Sequence, residues 1–111
     1  MTPDKIAETL RLHGMWLRGE DGGLRADFTG ANLSGANLRG ADLSDADLSG
    51  ADLFGAYLSG AYLSKACLTG ADLYGSNLYG SNLRGADLYR ARIGAVQAEQ
   101  IMAALGIEVT P

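Results

Sequence analysis

The sequence contains one histidine and one cysteine, residue types that often act as bases, nucleophiles or metal ligands. His13 is the candidate base or metal ligand, but there is no second histidine to help build a metal site, and Trp16 lies close by in sequence. A lone histidine beside a large aromatic residue is more often packed than chemically active. We therefore predict that His13 is a packed or capping residue.

Cys67 is the candidate nucleophile. Nucleophilic catalysis requires a general base and an orienting group within reach, and the pattern around Cys67 supplies neither. We predict a free surface thiol without a catalytic role. A single cysteine also excludes an intrachain disulfide and a four-cysteine zinc site.

Residues 18–25 (Arg-Gly-Glu-Asp-Gly-Gly-Leu-Arg) combine glycines with acids, as phosphate-binding and calcium-binding loops do. They lack the Gly-x-x-x-x-Gly-Lys spacing of the first kind and the alternating acids of the second. We predict that this segment is a connector. From the sequence we expect no catalytic, cofactor-binding or metal-binding residue and no enzymatic activity.

The element that must position every side chain is a repeat of period five, from residue 26 to residue 95. Each of its fourteen pentads has a small residue first and a large apolar residue third, from Phe28 to Ile93. On an extended backbone these two point to the same side. Glycine closes most pentads, where a type II turn needs a positive φ. The pattern predicts short extended pieces that alternate with corners.

The pattern A-[DN]-L-x-G resembles the repeats of the pentapeptide-repeat family. This resemblance implies an all-β solenoid, a right-handed quadrilateral parallel β-helix with twenty residues per coil. Fourteen pentads then make about three and a half coils, a rod about 17 Å long at a strand spacing of about 4.8 Å. The resemblance also implies a non-enzymatic structural scaffold or protein-interaction module whose partner the sequence does not name.

A twenty-residue coil predicts which outward residues stack. Phe54 should stack on Tyr74, with Tyr57 and Tyr79 near on the adjoining face. Clustered exposed aromatic residues often mark contact surfaces, so these four are the candidate partner-binding residues. The alternative is that ring stacking only stabilises neighbouring coils.

Regular carboxylates on a rod can imitate the phosphates of DNA, and the resemblance implies this for longer relatives that are proposed to act on DNA gyrase. The repeats here carry seven acids against five bases, an excess of two negative charges. A rod of about 17 Å matches only about five base pairs. We therefore expect the acids to form a solvated face, and keep gyrase-directed DNA mimicry as the alternative function.

Two pentads that do not end in glycine provide a test of the predicted twenty-residue coil length. Asp45 and Lys65 are twenty residues apart, so they should share a corner on successive coils and bring opposite charges together.

Both ends of the repeat are expected to be capped. Thr2 and Pro3 predict a helix start; this N-terminal helix should cover Phe28 and Leu33, and Gly14 could end it or lie inside it. After the repeat, residues 97–105 predict a helix that Gly106 ends, and residues 107–109 a short strand. This C-terminal segment either caps the last coil or joins two copies end to end as a homodimer.

The predicted organisation is a cap helix with connector (1–25), a repeat β-helix (26–95), and a C-terminal helix with tail (96–111). The net charge of −4 argues against direct nucleic-acid binding. No apolar run approaches eighteen residues, and the N-terminus lacks the apolar core of a signal peptide. We expect a cytoplasmic protein that does not associate with a membrane and has no cofactor.

Overall fold

The computed structural model describes residues 1–107, except for the side chain of Val96. Its helices are α1 (Pro3–Leu17), a short 3-10 helix (Ala95–Gln97) and α2 (Ala98–Ala104). None of the helices in this part of the chain is long and apolar enough to cross a membrane.

Between the helices the backbone pairs with itself every twenty residues. Parallel bridges join Asp27 to Asp47 and Asp47 to Cys67, and the same spacing holds for every other bridge up to Arg92. From Asp47 onward, the N–H of each bridge residue donates to the preceding coil, as from Asp47 to the carbonyl of Ala26 at 3.1 Å. The pairs stay isolated because a corner follows every five residues. The fold is therefore of the β-helix type, and the predicted twenty-residue register is confirmed.

The corners require a left-handed backbone conformation. Gly30 has a φ of 65°, and the turn at this corner is closed by a hydrogen bond from Ala31 N–H to the carbonyl of Phe28 at 3.0 Å. Three residues other than glycine adopt the same conformation, with φ of 64° at Asp45, 60° at Lys65 and 59° at Arg90. The corner geometry is thus set by the repeat and imposed on these three side chains.

Asp45 and Lys65 share one corner, as the bridges on either side of them show. The charges do not meet, however: no ion pair joins these two side chains, both of which the structure describes. The stem of Lys65 lies instead over Gly85, where a Cβ would come within 3.2 Å of Lys65 Cγ. The register prediction was right and the expected meeting of charges was wrong, because Lys65 leans toward the following coil.

The core is a single column of large side chains, lined by small ones. Twelve central residues, from Phe28 to Leu83, are fully buried, and Ala46, for example, packs beside them. The column ends earlier than the repeat, because no further coil covers its last two members. Leu88 is half-buried and Ile93 is 45% exposed, so the buried column has twelve members although the repeat has fourteen pentads.

α1 closes the first coil. Thr2 accepts a hydrogen bond from Lys5 N–H at its side-chain oxygen, and Pro3 opens the helix, as predicted. The helix continues through Gly14 to Leu17. Ile6 and Leu10 pack against the core, where Phe28 and Leu33 are buried.

His13 is the one buried residue of α1 and joins it to the coil. Its Nδ1 accepts a hydrogen bond from Ala26 N–H at 2.9 Å, so the proton is on Nε2, which donates to the carbonyl of Ser44 at 2.8 Å. Trp16 stacks on the imidazole with ring centroids 5.5 Å apart. The prediction of a packed, capping histidine is confirmed.

α2 closes the other end. Gln97 is buried; its side-chain N–H groups donate to the carbonyls of Leu73 and Ser76, and its oxygen accepts from Gly94 N–H at 2.7 Å. Gln100 accepts from Leu78 N–H at 3.0 Å. The predicted capping is confirmed, with a helix shorter than the expected 97–105. Most of the strand expected at 107–109 lies outside the described residues.

Candidate functional site

The four aromatic residues singled out from the sequence lie on and beside one side of the coil. We call the side formed by residues 36–40, 56–60 and 76–80, with Phe54 and Tyr74 at its neighbouring corner, the aromatic face. Phe54 and Tyr74 are stacked, with ring centroids 6.1 Å apart and planes 11° from parallel. This confirms the predicted stack. Phe54 is 49% exposed, so the stack does not remove the rings from solvent.

The other two rings of the aromatic face are not stacked on aromatic neighbours among the described residues. The guanidinium of Arg39 lies 4.2 Å from the ring centroid of Tyr57, a cation–π contact between successive coils. Tyr79 is 74% exposed, the largest exposed fraction of any aromatic side chain described. Ring stacking between coils therefore accounts for Phe54 and Tyr74 but leaves Tyr79 without a structural role.

Charge is unevenly placed around the coil. Within the fifteen residues of the three aromatic-face pentads, Arg39 is the one ionised side chain. At the neighbouring corner Arg92 stacks on Tyr74, 4.6 Å from the ring centroid, and forms an ion pair with Asp72 at 3.0 Å. The three pentads of the aromatic face thus carry no carboxylate, and Asp72, at the corner with Phe54 and Tyr74, is paired with Arg92.

Arg39 and Arg92 were not among the residues predicted for this surface. Arg39 could have been found, because it lies two positions after the residue that bridges Tyr57. Tyr62 is also exposed, by 52%, but it bridges Asp42 and Asn82 on the next side of the coil and lies outside the aromatic face.

The Asp and Asn residues at the second pentad position have a local structural role. Their side-chain oxygens accept hydrogen bonds from the N–H two residues later, as at Asn32 with Ser34, Asp52 with Phe54 and Asn77 with Tyr79. Such a bond fixes the approach to the corner. It also explains why Asp and Asn alternate freely at this position, since either side chain provides the acceptor oxygen.

Asp47 is further held by a neighbouring hydroxyl. Ser49 donates to its carboxylate from Oγ at 2.7 Å and from N at 3.0 Å, and these two hydrogen bonds lower the pKa of Asp47. The carboxylate is therefore ionised at neutral pH and occupied within its own turn.

Cys67 takes the same position as Asp47 one coil later. Its sulfur lies 3.0 Å from Ser49 Oγ and 3.4 Å from Thr69 Oγ1. Since the single hydroxyl proton of Ser49 is donated to Asp47, the Cys67 thiol is the donor in its contact with Ser49 Oγ. The thiol is half-buried and free; its neighbours are hydroxyls and a carboxylate already bound to Ser49.

Two grooves lie at the ends of the coil. One, of about 390 Å³, lies between α1 and the first coil and is lined by Ile6 and Asn32. The other, of about 210 Å³, lies beside Tyr74 and Gln97. In residues 1–107, no three His, Cys, Asp or Glu side chains come together as metal ligands would.

Comparison with known proteins agrees with the repeat. The family model for pentapeptide repeats matches residues 25–60 and 56–93, with eight copies. No curated protein matches the chain.

Several solved structures are similar in sequence. HetL, a pentapeptide repeat protein involved in heterocyst differentiation regulation from the cyanobacterium Nostoc sp. strain PCC 7120, is 42% identical over 60% of this chain and 33% of its own, with a TM-score of 0.33. A pentapeptide repeat protein from the Arabidopsis thaliana thylakoid lumen is 39% identical over 73% of this chain and 60% of its own, with a TM-score of 0.37. QnrB1, a plasmid-mediated fluoroquinolone resistance protein, is 29% identical over 77% of this chain and 45% of its own, with a TM-score of 0.38.

The chain spans between a third and three fifths of the lengths of these three proteins. The repeat model, in contrast, covers more than half of the chain itself, and its boundaries coincide with the bridged coil between Asp27 and Arg92. The protein belongs to the pentapeptide-repeat family.

Proposed function

We propose that this protein is a non-enzymatic scaffold that binds a protein partner through the aromatic face. The observation that carries the proposal is the exposed set of Phe54, Tyr57, Tyr74 and Tyr79, around a side of the coil whose three pentads contain no Asp or Glu. Enrichment in aromatic residues and arginine, with few other charges, is the composition of interface centres. Pentapeptide-repeat proteins generally serve as structural or interaction modules, which agrees with this proposal.

The scaffold in this proposal is a right-handed quadrilateral β-helix of about three and a half coils. The twenty-residue register and the corner at every fifth residue support it. The Asp and Asn residues at the second pentad position accept hydrogen bonds within their own turns, and these bonds stiffen the corners. The rings are therefore held at fixed spacing. A rigid surface loses little conformational entropy on binding.

The proposal is tested by replacing Phe54, Tyr57 and Tyr79 with serine and measuring capture of partner proteins from the source organism. Tyr74 is left in place because it packs on Gly94, near the C-terminal cap. A double variant, Tyr62→Ser with Tyr89→Ser, is the matched control, since both of its rings are exposed on other sides of the coil.

The expected result is that a protein bound by the wild type and by the control is lost from the triple variant, while all three melt at similar temperatures. Equal capture by the triple variant would show that the aromatic face is not the contact surface. Melting of the triple variant alone would assign these rings to stabilisation of the coil.

The alternative function is DNA mimicry directed at gyrase or another topoisomerase. QnrB1, to which the chain is similar, is a fluoroquinolone resistance protein. The acids at the second pentad position, however, already accept hydrogen bonds within their own turns, as Asp52 and Asp72 do. A gyrase supercoiling assay decides: inhibition or quinolone protection at stoichiometric protein favours the mimic, and unchanged supercoiling favours the scaffold.

We also propose that the protein self-associates through its C-terminal segment. Three exposed apolar side chains support this, since Ile93, Met102 and Ile107 all lie at the C-terminal end of the coil. Analytical ultracentrifugation of the full chain, compared with a chain ending at Gly106, tests it. The cytoplasmic location predicted from the sequence remains a prediction, which fractionation of the source cells would check.

A further inference from the structure

The first coil presents an unpaired backbone edge. In later coils each bridge residue uses both of its main-chain groups, as Asp52 does: its N–H donates to Ala31 at 2.9 Å and its carbonyl accepts from Leu33 N–H at 2.7 Å. Asn32 and Asn37 hold the same position in the first coil, with no coil before them. Among the described residues nothing accepts from the N–H of Asn32 or Asn37.

The N-terminal cap covers this edge unevenly. His13 bonds to Ala26 and Ser44, and Arg25 Nε donates to the carbonyl of Asp45 at 2.6 Å, but the N–H groups of the bridge residues on that side also have no acceptor among the described residues. Ala26, under the cap, is 1% exposed, whereas the first residues of the next three pentads are half-buried. The cap therefore closes the edge at Ala26 and leaves it accessible at Asn32 and Asn37.

A groove runs along this accessible part of the edge. It has a volume of about 390 Å³, with Ile6 and Leu10 of α1 on one wall and Leu33 and Ala36 on the other. The only hydrogen bond that the structure gives to the Asn32 carbonyl comes from the α-amino group of Met1, at 3.3 Å. Apolar walls beside the unpaired N–H of Asn32 fit an extended strand whose apolar side chains point inward. Such a strand replaces the Met1 amino group at the Asn32 carbonyl.

We propose that residues 107–111 of a second copy add to this edge as a parallel strand, with Glu108 opposite Asn32. This inference rests on the self-association proposed above and names its acceptor surface. The sequence Ile107-Glu108-Val109 repeats the inward–outward–inward order of Ala31-Asn32-Leu33. In this register the N–H and carbonyl of Asn32 bond to the added strand, and Ile107 and Val109 enter the groove.

The same chain cannot supply this strand. Ile107, the first residue of the proposed strand, is exposed at the C-terminal end of its own coil. Three bridges, from Asn32 to Asp52, to Asp72 and to Arg92, separate that end from the groove, a distance of about 14 Å at about 4.8 Å each. Ile107 therefore cannot enter the groove of its own molecule. A tail that binds the edge of another molecule makes a heterologous contact.

Disulfide trapping in a Cys67→Ser background tests the register. The proposed pairing puts Thr110 opposite Ser34, at a separation that a disulfide spans. Protein carrying Ser34→Cys is mixed with a differently tagged protein carrying Thr110→Cys and oxidised. Thr29→Cys is the matched control, because Thr29 is exposed at the corresponding corner of the first coil on the capped side.

The expected result is a mixed crosslinked dimer with Ser34→Cys and none with Thr29→Cys, lost when Val109→Asp is added to the tail. Equal crosslinking to both positions, or Thr110→Cys crosslinking mainly to itself, would overturn the assigned acceptor while leaving C-terminal self-association standing. If the full chain sediments as a monomer like the chain ending at Gly106, both the self-association and the acceptor are wrong.

Discussion

The backbone N–H of Ala26 donates to the Nδ1 atom of His13, at 2.9 Å. In later pentads the equivalent N–H bonds to a carbonyl three residues earlier, as Ala31 does with Phe28. A side chain of α1 therefore replaces a main-chain group that the repeat would otherwise provide. Gln97 does the same at the other end, where its amide bonds to Leu73, Ser76 and Gly94. Each cap works by supplying the hydrogen-bonding groups of a missing coil.

The first prediction concerns His13. His13→Ala leaves the N–H of Ala26 and the carbonyl of Ser44 without partners, and each unsatisfied buried group costs about 1–3 kcal/mol. We expect the free energy of unfolding to fall by about 2–5 kcal/mol in urea titrations. Trp16→Phe, which keeps an aromatic ring beside His13, should cost less than about 1.5 kcal/mol. A smaller loss for His13→Ala than for Trp16→Phe would contradict the role of His13 as a hydrogen-bonding substitute for main-chain groups.

The second prediction uses two glutamines of the C-terminal cap. In Gln97→Glu the donating amide becomes a carboxylate facing the carbonyls of Leu73 and Ser76. Because a buried charge without donors is costly, we expect a loss of about 2–4 kcal/mol. Gln100→Glu is the matched control: this side chain only accepts, from Leu78 N–H, and a carboxylate still accepts.

Thermal and urea unfolding of both variants measure this difference. Gln100→Glu should stay within about 1 kcal/mol of the wild type, since surface changes that keep a hydrogen bond have small effects. Similar losses for the two variants would mean that the donor groups of Gln97 contribute nothing specific to the cap.

The sequence predicted the regular part of the molecule because each pentad repeats one local rule. The positions of Phe28 and Leu33 gave the core, and the twenty-residue register of the resembling family gave the stack of Phe54 on Tyr74. The caps could only be predicted as helices. The hydrogen bond from Ala26 to His13 depends on where α1 lies across the coil. These residues are thirteen apart and belong to different elements, so the period of the repeat does not predict the contact.

The candidate site was predictable to the same degree. The register placed Phe54, Tyr57, Tyr74 and Tyr79 around one side of the coil, but the side-chain directions of Arg39 and Lys65 did not follow from it. Arg39 turns onto Tyr57, and Lys65 turns away from Asp45 toward Gly85. Long flexible side chains have many rotamers, so their contacts depend on neighbours in both adjoining coils.

The third prediction concerns the core column. Leu58 is fully buried in mid-column, so Leu58→Ala should lower the free energy of unfolding by about 2–5 kcal/mol. Ile93→Ala, at the equivalent pentad position but 45% exposed, should cost less than about 1 kcal/mol, because little apolar area is lost. Denaturant unfolding with constant m-values checks both. A loss below about 1 kcal/mol for Leu58→Ala would show that the column does not act as the core.

The last prediction concerns two adjacent corners, Gly60 with a φ of 68° and Lys65 with a φ of 60°. No atom lies within 4 Å of a Cβ added at Gly60, so Gly60→Lys tests the backbone conformation alone and should cost about 1–2 kcal/mol. Lys65→Gly relieves the same strain but adds freedom to the unfolded chain, so the net gain should be about 0.5–1 kcal/mol. Asp45→Gly should gain less than Lys65→Gly, because Asp enters the left-handed region more readily than Lys. Melting temperatures of the three single variants give the order directly. If Lys65→Gly destabilises the protein, contacts of the Lys65 stem over Gly85 outweigh the strain at this corner.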